Sequence, residues 1–557
     1  MLWYSYSIDP GAAGAKSRPF NSAAFLQGRF AAMNFNRVKN PYVYASCTIL
    51  VILMLGWLFG RLMATSDNTY MRVLLLQDVV HQVSQRYVDY IPPDSLYRRA
   101  VEGLLRGLDP YTELIPATEF KRFQELQVKS EYVGTGISIS RTDNEIVVMS
   151  TFPGSSAYRQ GIQPGDRVIR VDGISTRNWS TEEASLHLLG PENSKVSLTV
   201  SRPGAPEPLD ISLTREKVAV PTVTRQFMLD KGVGYLRLSS FTEPTAHELE
   251  AAVNALLGQG MKSLVLDLRD NTGGLTESAI EICGLFLNGR QLIVSMRGRR
   301  KEDTSSFFSE GKPVFKTQPI AILTNSFTAS SSEIVAGALQ DHDRAIIVGT
   351  NSFGKGLVQT TFPLNSGDIL KITTARYYTP SGRNIQREYP RQLDLGDEEL
   401  EPEAQDTVQK SFKTDMGRKV LGGGGIAPDI EVPEDSAAGD PFIVQILPHA
   451  FDFAVAYKSL HPNLDKSFSV DPAIFSAFIS YLKDKSVEVE DKKVEKYHGY
   501  IANILLTYRI SQVTWDENTA YRMVAHADAQ LNKALEILGS GEKQAEILKQ
   551  TMKDERK

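Results

Sequence analysis

Two stretches of the sequence hold side chains that could do covalent chemistry together. Thr328-Ala-Ser-Ser-Ser-Glu333 stands between a strand-like run, Ile320-Ala-Ile-Leu-Thr324, and a helical pattern from Glu333 to Gln340. Ser330 with Glu333 reads as a capping box, an ordinary way to begin a helix. The same geometry exposes a hydroxyl at a helix N-terminus, where unpaired N–H groups can stabilise an oxyanion. A serine hydroxyl still needs a base. His342 sits at the far end of the same helix, around 17 Å away at about 1.5 Å per residue, and cannot be the partner. No other histidine stands in a motif. Lys355 is the better candidate: it follows Gly354 at the start of a strand and is flanked by Phe353 and Leu357. In a strand Lys355, Leu357 and Gln359 share one face, so the Gln359 amide can hold the ammonium end. A lysine base must be neutral, and lowering its pKa from about 10.4 to near 7 costs roughly 4 to 5 kcal/mol of charge stabilisation. Burial away from carboxylates can impose that.

Two other patterns are weaker. Gly349-Thr-Asn-Ser-Phe-Gly-Lys-Gly356 fits a phosphate-binding loop up to the lysine. The next residue should carry a hydroxyl for Mg²⁺ and is Gly356, and a strand-like run (Leu357 to Phe362) follows instead of a helix. The eight histidines have no paired metal-ligand spacing, so no metal site and no cofactor is expected. A net charge of -5 with 23% charged residues lacks the basic excess of a nucleic-acid binder. Cys47 and Cys283, one in an apolar run and one in a helical pattern, are not expected to pair.

The elements that must position Ser330 and Lys355 lie in a chain too long for one core, 557 residues, so a multidomain α+β protein is expected. Residues 217–435 alternate strand and helix, as in an α/β domain with largely parallel strands. Before them, residues 130–216 hold short β-like runs punctuated by Gly, Asp and Asn, with one helical stretch from Thr181 to Leu189. Residues 66–129 are a small helical region, its periodicity stopped by Asp109-Pro110, and show no chemistry. Residues 436–557 are helical, rich in aromatics and charge, and suit docking or oligomerisation. Pro41 to Gly60 is an uncharged run of about twenty residues, the length of a membrane-spanning helix. Lys16, Arg18, Arg29, Arg37 and Lys39 precede it against Asp9 alone. That asymmetry places residues 1–40 in the cytoplasm, a single span at 41–64, and the remainder on the periplasmic side. A cleaved signal is the rival reading, though Leu62-Met63-Ala64 is a poor cleavage site. Met33 offers a later start, which would make residues 1–32 an over-called beginning.

The segment from Ser155 to Gly173, with Ala157-Tyr-Arg-Gln-Gly-Ile-Gln-Pro-Gly-Asp166 at its centre, strongly resembles a PDZ domain. Tyr132-Val-Gly-Thr-Gly-Ile137 resembles its carboxylate-binding loop, with Gly134, Thr135, Gly136 and Ile137 as the peptide-binding residues. Successive N–H groups in such a loop form a nest for a terminal carboxylate, and the following strand edge can pair with an extended peptide. Leu264-Val-Leu-Asp-Leu-Arg-Asp-Asn-Thr-Gly-Gly-Leu275, Ala329-Ser-Ser-Ser-Glu-Ile-Val-Ala-Gly-Ala-Leu-Gln-Asp341 and Gly349 to Gln359 together resemble the carboxy-terminal processing (tail-specific) protease family. Ala375 to Gln386 and Gly425-Ile-Ala-Pro-Asp429 match as well.

That resemblance implies a crotonase/ClpP-like core with Ser330 as nucleophile, Lys355 as general base and Gln359 as its orienting partner. It implies an oxyanion hole of backbone N–H groups from Gly273 or Gly274 and from Ser331, with Asp341 in a supporting acidic position. Two departures stand out: Ser331 where the family commonly has Ala, and Leu189 where relatives often have an arginine that couples PDZ to protease. The expectation is a membrane-anchored serine endopeptidase that takes protein substrates by apolar C-terminal tails, with possible homo-oligomerisation through its helical ends. The alternative is a non-catalytic PDZ adaptor with a degenerate protease domain.

Overall fold

The computed structural model describes residues 41–311, 313–388, 410–539 and 543–554, which fall into two units divided between Leu108 and Asp109. The first consists of α1 (Pro41–Arg86) and α2 (Pro93–Arg106). Pro93 at the first helical position, Asp94 in the first turn and Arg106 in the last all favour α2 where it stands. In α1 the side chains of Ile49 to Leu55 and Trp57 are all exposed, so this stretch is apolar on every face. Residues 1–40 and the side chains of 58–64, which belong to the expected cytoplasmic segment and span, lie outside the described residues. Among the described residues no helix is long and apolar enough to cross a membrane.

The second unit opens with β1 (Glu113–Ile115) and then builds the PDZ-like module. Its strands are β2 (Glu131–Gly134), β3 (Ile137–Thr142), β4 (Glu145–Thr151), β5 (Arg167–Val171), β6 (Lys195–Ser201), β7 (Leu209–Thr214) and β8 (Glu216–Ala219), with α3 (Thr181–Leu188) before β6. The antiparallel order β3-β4-β5-β6-β7 leaves β3 at an edge, while β2 pairs with β8 in a ribbon of its own. The inward positions, Ile146, Val148, Val168, Val171, Leu198, Val200 and Leu213, form the module's core; β4 and β6 follow the period of two of a half-buried strand, while a bulge between Val168 and Arg170 shifts β5 by one residue.

The catalytic-type layer follows. It contains β9 (Val223–Met228), β10 (Val233–Leu238), α4 (Thr245–Gly258), β11 (Ser263–Asp267), α5 (Thr276–Gly284), β12 (Leu292–Gly298), β13 (Ser305–Phe308), β14 (Ile320–Thr324), α6 (Ser331–Asp341), β15 (Ile346–Gly349), β16 (Leu357–Pro363), β17 (Ile369–Tyr378) and β18 (Ile430–Glu431). The main sheet runs β9-β10-β11-β14-β15-β18 and is parallel except at β9. A second sheet runs β1-β17-β12-β13, with β16 also on β17. Strands β11, β14 and β15 are buried along their whole length, which explains their continuous apolar runs: both faces are covered. On one face α4, α5 and α6 pack around Leu249, Leu264, Leu266, Ile322 and Val335.

The opposite face is covered by the C-terminal region. Tyr521 and Val524 of α9 (Glu517–Val524), and Leu531, Ala534 and Leu538 of α10 (Ala529–Leu538), pack on Val265, Leu323, Ile346 and Val348. Earlier helices of the region, α7 (Pro441–Leu460) and α8 (Pro472–Asp484), share a core with Val147 of the PDZ-like module. A Cβ on Gly165 would fall 2.3 Å from Val455 of α7, so that close approach requires glycine. The sequence assigned this region to docking or oligomerisation. In the structure it covers the free face of the main sheet and seats the PDZ-like module on helices of its own chain.

Candidate active site

Ser330 lies in the turn between β14 and α6, at φ 56° and ψ -116°. A non-glycine residue with positive φ is strained and is kept there only where its surroundings hold it. The turn is fixed from both sides. Thr328 Oγ1 donates to Leu268 O (2.9 Å) and accepts from Asn325 N (3.0 Å), and Ala329 N donates to Asn271 O (3.0 Å). The Ser330 N–H donates to Glu333 Oε2 at 2.8 Å, as in the expected capping box.

Glu333 does more than cap. It is fully buried, and Oε2 also accepts the backbone N–H of Lys355 at 2.8 Å. Its Oε1 accepts the Ser352 hydroxyl at 2.5 Å and the Gly354 N–H at 2.7 Å. One carboxylate oxygen therefore joins the backbone of the serine to that of the lysine. Burial pushes the Glu333 carboxyl up, and the four hydrogen bonds it accepts oppose that shift. The amides of the phosphate-loop-like segment are thus engaged by a carboxylate of the same chain, and the strand β16 that follows has no helix N-terminus to offer a phosphate.

The Lys355 side chain points under the ring of Tyr111, with Nζ 4.6 Å from the ring centroid. Its amine is lowered to about 8, first by burial and then by Lys371, while Glu333, Glu113 and Asp109 pull the other way. No hydrogen bond joins Lys355 Nζ to Ser330 Oγ or to Gln359 among the described residues. The Gln359 amide donates instead to Thr373 Oγ1 at 3.3 Å. The expectation that 355, 357 and 359 share a strand face does not hold. Lys355 precedes β16, and a bulge at Val358/Gln359 breaks the alternation.

The loop Leu268 to Leu275 lies against the serine turn. Asn271 is its buried anchor: its side-chain amide donates to Leu238 O (2.8 Å) and its backbone O accepts the Ser332 hydroxyl (2.9 Å). A Cβ on Gly273 would fall 2.8 Å from Ser330 Cβ and 2.9 Å from Ser331 N, so this glycine lets the loop reach the Ser330 turn. Of the expected oxyanion donors, the Ser331 N–H has no acceptor among the described residues, whereas the Gly273 N–H donates to Asn271 Oδ1 at 2.9 Å. The Ser331 hydroxyl, the departure from the family pattern, donates to Gly274 O at 2.8 Å and ties the two loops together. Gly274 sits at φ 148°, and a Cβ there would lie 2.0 Å from Phe241 O. Gly274→Ala is accordingly expected to displace this loop, lowering kcat about 100-fold or more, the scale of losing an oxyanion donor. Steady-state kinetics on a folded variant check this; an unchanged kcat would contradict the loop's placement.

Asp341 and His342 do not join this cluster. Asp341 ends α6, roughly 16 Å of helix from Ser330. It receives Arg383 Nη2 (2.7 Å) and Ser381 N (2.9 Å), so its support is of the segment after β17. His342 pairs with Asp415 (2.8 Å) and Leu292 O (2.7 Å), consistent with its exclusion as a base. Three contributors escaped the sequence reading: Ser352, Asn271 and Tyr111. Asn271 and Ser352 lie inside the quoted motifs, but nothing in the sequence marks Tyr111, which falls in the region read as free of chemistry. Among the described residues no set of three side chains is placed to hold a metal ion.

In the PDZ-like module, Gly134, Thr135 and Gly136 are buried between β2 and β3, and Ile137 opens β3. Gly136 has φ 80°, and a Cβ on it would strike Ser155 Cβ at 2.1 Å. The loop carbonyls face inward, Thr135 O accepting Ala157 N (3.0 Å) and Gly136 O accepting Phe152 N (2.9 Å).

Residues 232–392 match the profile of Peptidase family S41, and residues 125–201 that of the PDZ domain. The chain is similar to the carboxy-terminal-processing protease of Bartonella bacilliformis, 39% identical over 324 residues that cover 58% of this chain and 74% of that protein. It is also similar to the carboxyl-terminal-processing protease of Synechocystis sp., 36% identical over 52% of this chain and 68% of that protein. Among solved structures, the photosystem II D1 C-terminal processing protease is 27% identical, with 64% of this chain and 92% of that chain covered at a TM-score of 0.35.

Proposed function

The chain belongs to the family of carboxy-terminal-processing serine proteases, and from that premise we propose that Ser330 is its nucleophile and Lys355 its general base. The observation that carries this reading is the shared Glu333 oxygen, which ties the two residues together by their backbones. In the reaction, Ser330 Oγ attacks the scissile carbonyl while Lys355 Nζ accepts its proton. The Ser331 N–H donates to the oxyanion as it forms. The lysine then protonates the leaving amine, and water, deprotonated by the same lysine, hydrolyses the acyl-enzyme. To begin, Lys355 Nζ has to come within hydrogen-bond reach of the hydroxyl while it stays beneath the Tyr111 ring. Gln359 bears on the site through Thr373, which it shares with the Tyr111 segment.

Only neutral lysine accepts the proton. With its pKa lowered to about 8, kcat/KM is expected to rise about tenfold per pH unit up to that value and to level off above it. A profile flat from pH 5 to 9 would contradict a lysine base.

The PDZ domain is proposed to capture apolar C-terminal tails, the terminal carboxylate at Gly134 to Ile137 and the peptide along the open edge of β3. Its seating on α7 argues for point changes in the substrate over deletion of the module, since removing it would expose the C-terminal core at Val147. An unstructured substrate with an apolar C-terminus is expected to be cleaved about ten times more efficiently than its C-terminal amide, the scale of losing one charge-assisted site. Equal cleavage would remove tail recognition and leave the Ser330–Lys355 assignment standing. Membrane anchoring through 41–64, with the protease on the periplasmic side, is supported by the basic N-terminal flank and the all-round apolar exposure from Ile49 to Leu55. Sedimentation of the full chain with membranes after a high-salt wash tests it, because release by salt would exclude a spanning helix.

A further inference from the structure

The wall over Lys355 is built by Asp109 to Ile115. Asp109 accepts the N–H groups of Tyr111 (2.8 Å) and Thr112 (2.9 Å) and the Thr112 hydroxyl (2.7 Å). Thr112 Oγ1 in turn accepts the Thr373 N–H at 3.2 Å, and β1 continues onto β17 with Glu113 opposite Lys371. Thr373 Oγ1 is also the acceptor for Gln359. The backbone that carries Tyr111 is therefore fixed on both sides, and the ring lies 4.6 Å from Nζ. Its place owes nothing to the motifs around Ser330.

Resting on the Ser330–Lys355 reading, we propose that Tyr111 is a positioning residue for the base: its ring closes Lys355 Nζ off from water and holds the amine within the site. An aromatic face acts on an amine in two opposing ways. It attracts the ammonium form, and by excluding water it disfavours that same form. Burial is the first cause of the lowered Lys355 amine, and removing the ring admits water to Nζ, which raises the midpoint when that gain exceeds the lost attraction to the ring face. The charged groups facing Nζ are Lys371 of β17, which reinforces the effect, and Glu333 of α6, Glu113 of β1 and Asp109, which oppose it. All of them remain when the ring alone is removed.

The test compares pH profiles of kcat/KM for the full chain and for Tyr111→Phe, Tyr111→Ala and Thr112→Val. Tyr111→Ala is expected to move the midpoint upward by about one pH unit, which is about a tenfold loss near pH 7 that is regained at high pH. Tyr111→Phe restores the wild-type midpoint, because the ring alone is needed. Thr112→Val, which loosens the segment and keeps the ring, moves it the same way by less and carries the test should the alanine variant not fold. A merely structural role would lower activity by one factor at every pH and leave the midpoint in place, which overturns the proposal. A readout free of turnover is the pH dependence of Lys355 modification by acetic anhydride in a Ser330→Ala background, followed by peptide mapping. If Lys355→Ala is inactive while that midpoint does not move with Tyr111, the Tyr111 proposal alone is overturned. Wild-type turnover in Lys355→Ala overturns the Ser330–Lys355 reading and the proposal with it.

Discussion

Ser330→Ala is expected to abolish cleavage, with turnover falling by about 10⁴-fold or more, and Lys355→Ala by about 10²- to 10⁴-fold. The two differ because they remove different things. Without Ser330 no acyl-enzyme can form, and only substrate binding and oxyanion donors remain. Without Lys355 the hydroxyl is still present at the start of α6, strained and aimed by its backbone, but nothing nearby takes its proton. His342, whose ring is engaged by Asp415 and Leu292 O, is not placed to substitute. The local backbone hydrogen bonding runs chiefly through Glu333, so both variants are expected to fold. The effects should be strongly non-additive: a double variant loses little beyond Ser330→Ala, since the base has no task once the nucleophile is gone. Discontinuous cleavage assays on an unstructured protein check the three variants together. A Lys355→Ala enzyme within tenfold of wild type would mean another base.

Glu333→Ala is expected to damage both stability and activity. It leaves the buried N–H groups of Ser330 and Gly354, the buried Ser352 hydroxyl and the partly buried Lys355 N–H without their acceptor. Each buried unsatisfied donor costs about 1–3 kcal/mol, so the sum is a large part of the 5–15 kcal/mol by which domains of this kind are stable. Glu333→Gln keeps the shape but turns an NH₂ group toward donors on one side of the site. It is expected to fold with a loss of about 1–3 kcal/mol and to lose about 100-fold in kcat, as the serine and lysine backbones lose their common acceptor. Thermal unfolding and kcat measured on the same preparations separate the two effects. Wild-type melting of Glu333→Ala would show that the carboxylate does not hold the site together.

Ser330, Lys355 and the loop at Gly273 are legible in the sequence because each belongs to a short motif with a local physical reason: a serine at a helix start, a lysine between glycines, and paired glycines after a buried strand. The parallel sheet is legible for the same kind of reason, since strands covered on both faces read as unbroken apolar runs. What is hidden depends on partners distant in the chain. Glu333 looks like a cap from its neighbours and becomes the site's shared acceptor only when the segment from Ser352 to Lys355 folds back onto it. Gln359 reads as the lysine's partner until the bulge beside it redirects the amide to Thr373. Asp341 carries the right charge at the wrong end of α6, where Arg383 claims it. Tyr111 and the C-terminal helices offer no periodicity or motif that points to Lys355 or to the back of the sheet, because their roles are set by tertiary packing alone.

The central claim, a serine acylated with a lysine as base, is tested most directly by trapping the intermediate. The enzyme is mixed with an activated acyl ester, quenched in acid within its first turnover, digested and mapped by mass spectrometry across a range of pH. The account predicts an acyl group on the peptide that contains Ser330, absent in Ser330→Ala, formed at least about 100-fold more slowly in Lys355→Ala, and accumulating in wild type at a rate that rises to a plateau near the lowered lysine pKa of about 8. An acyl group on another residue, or one that forms at the wild-type rate in Lys355→Ala, would contradict it.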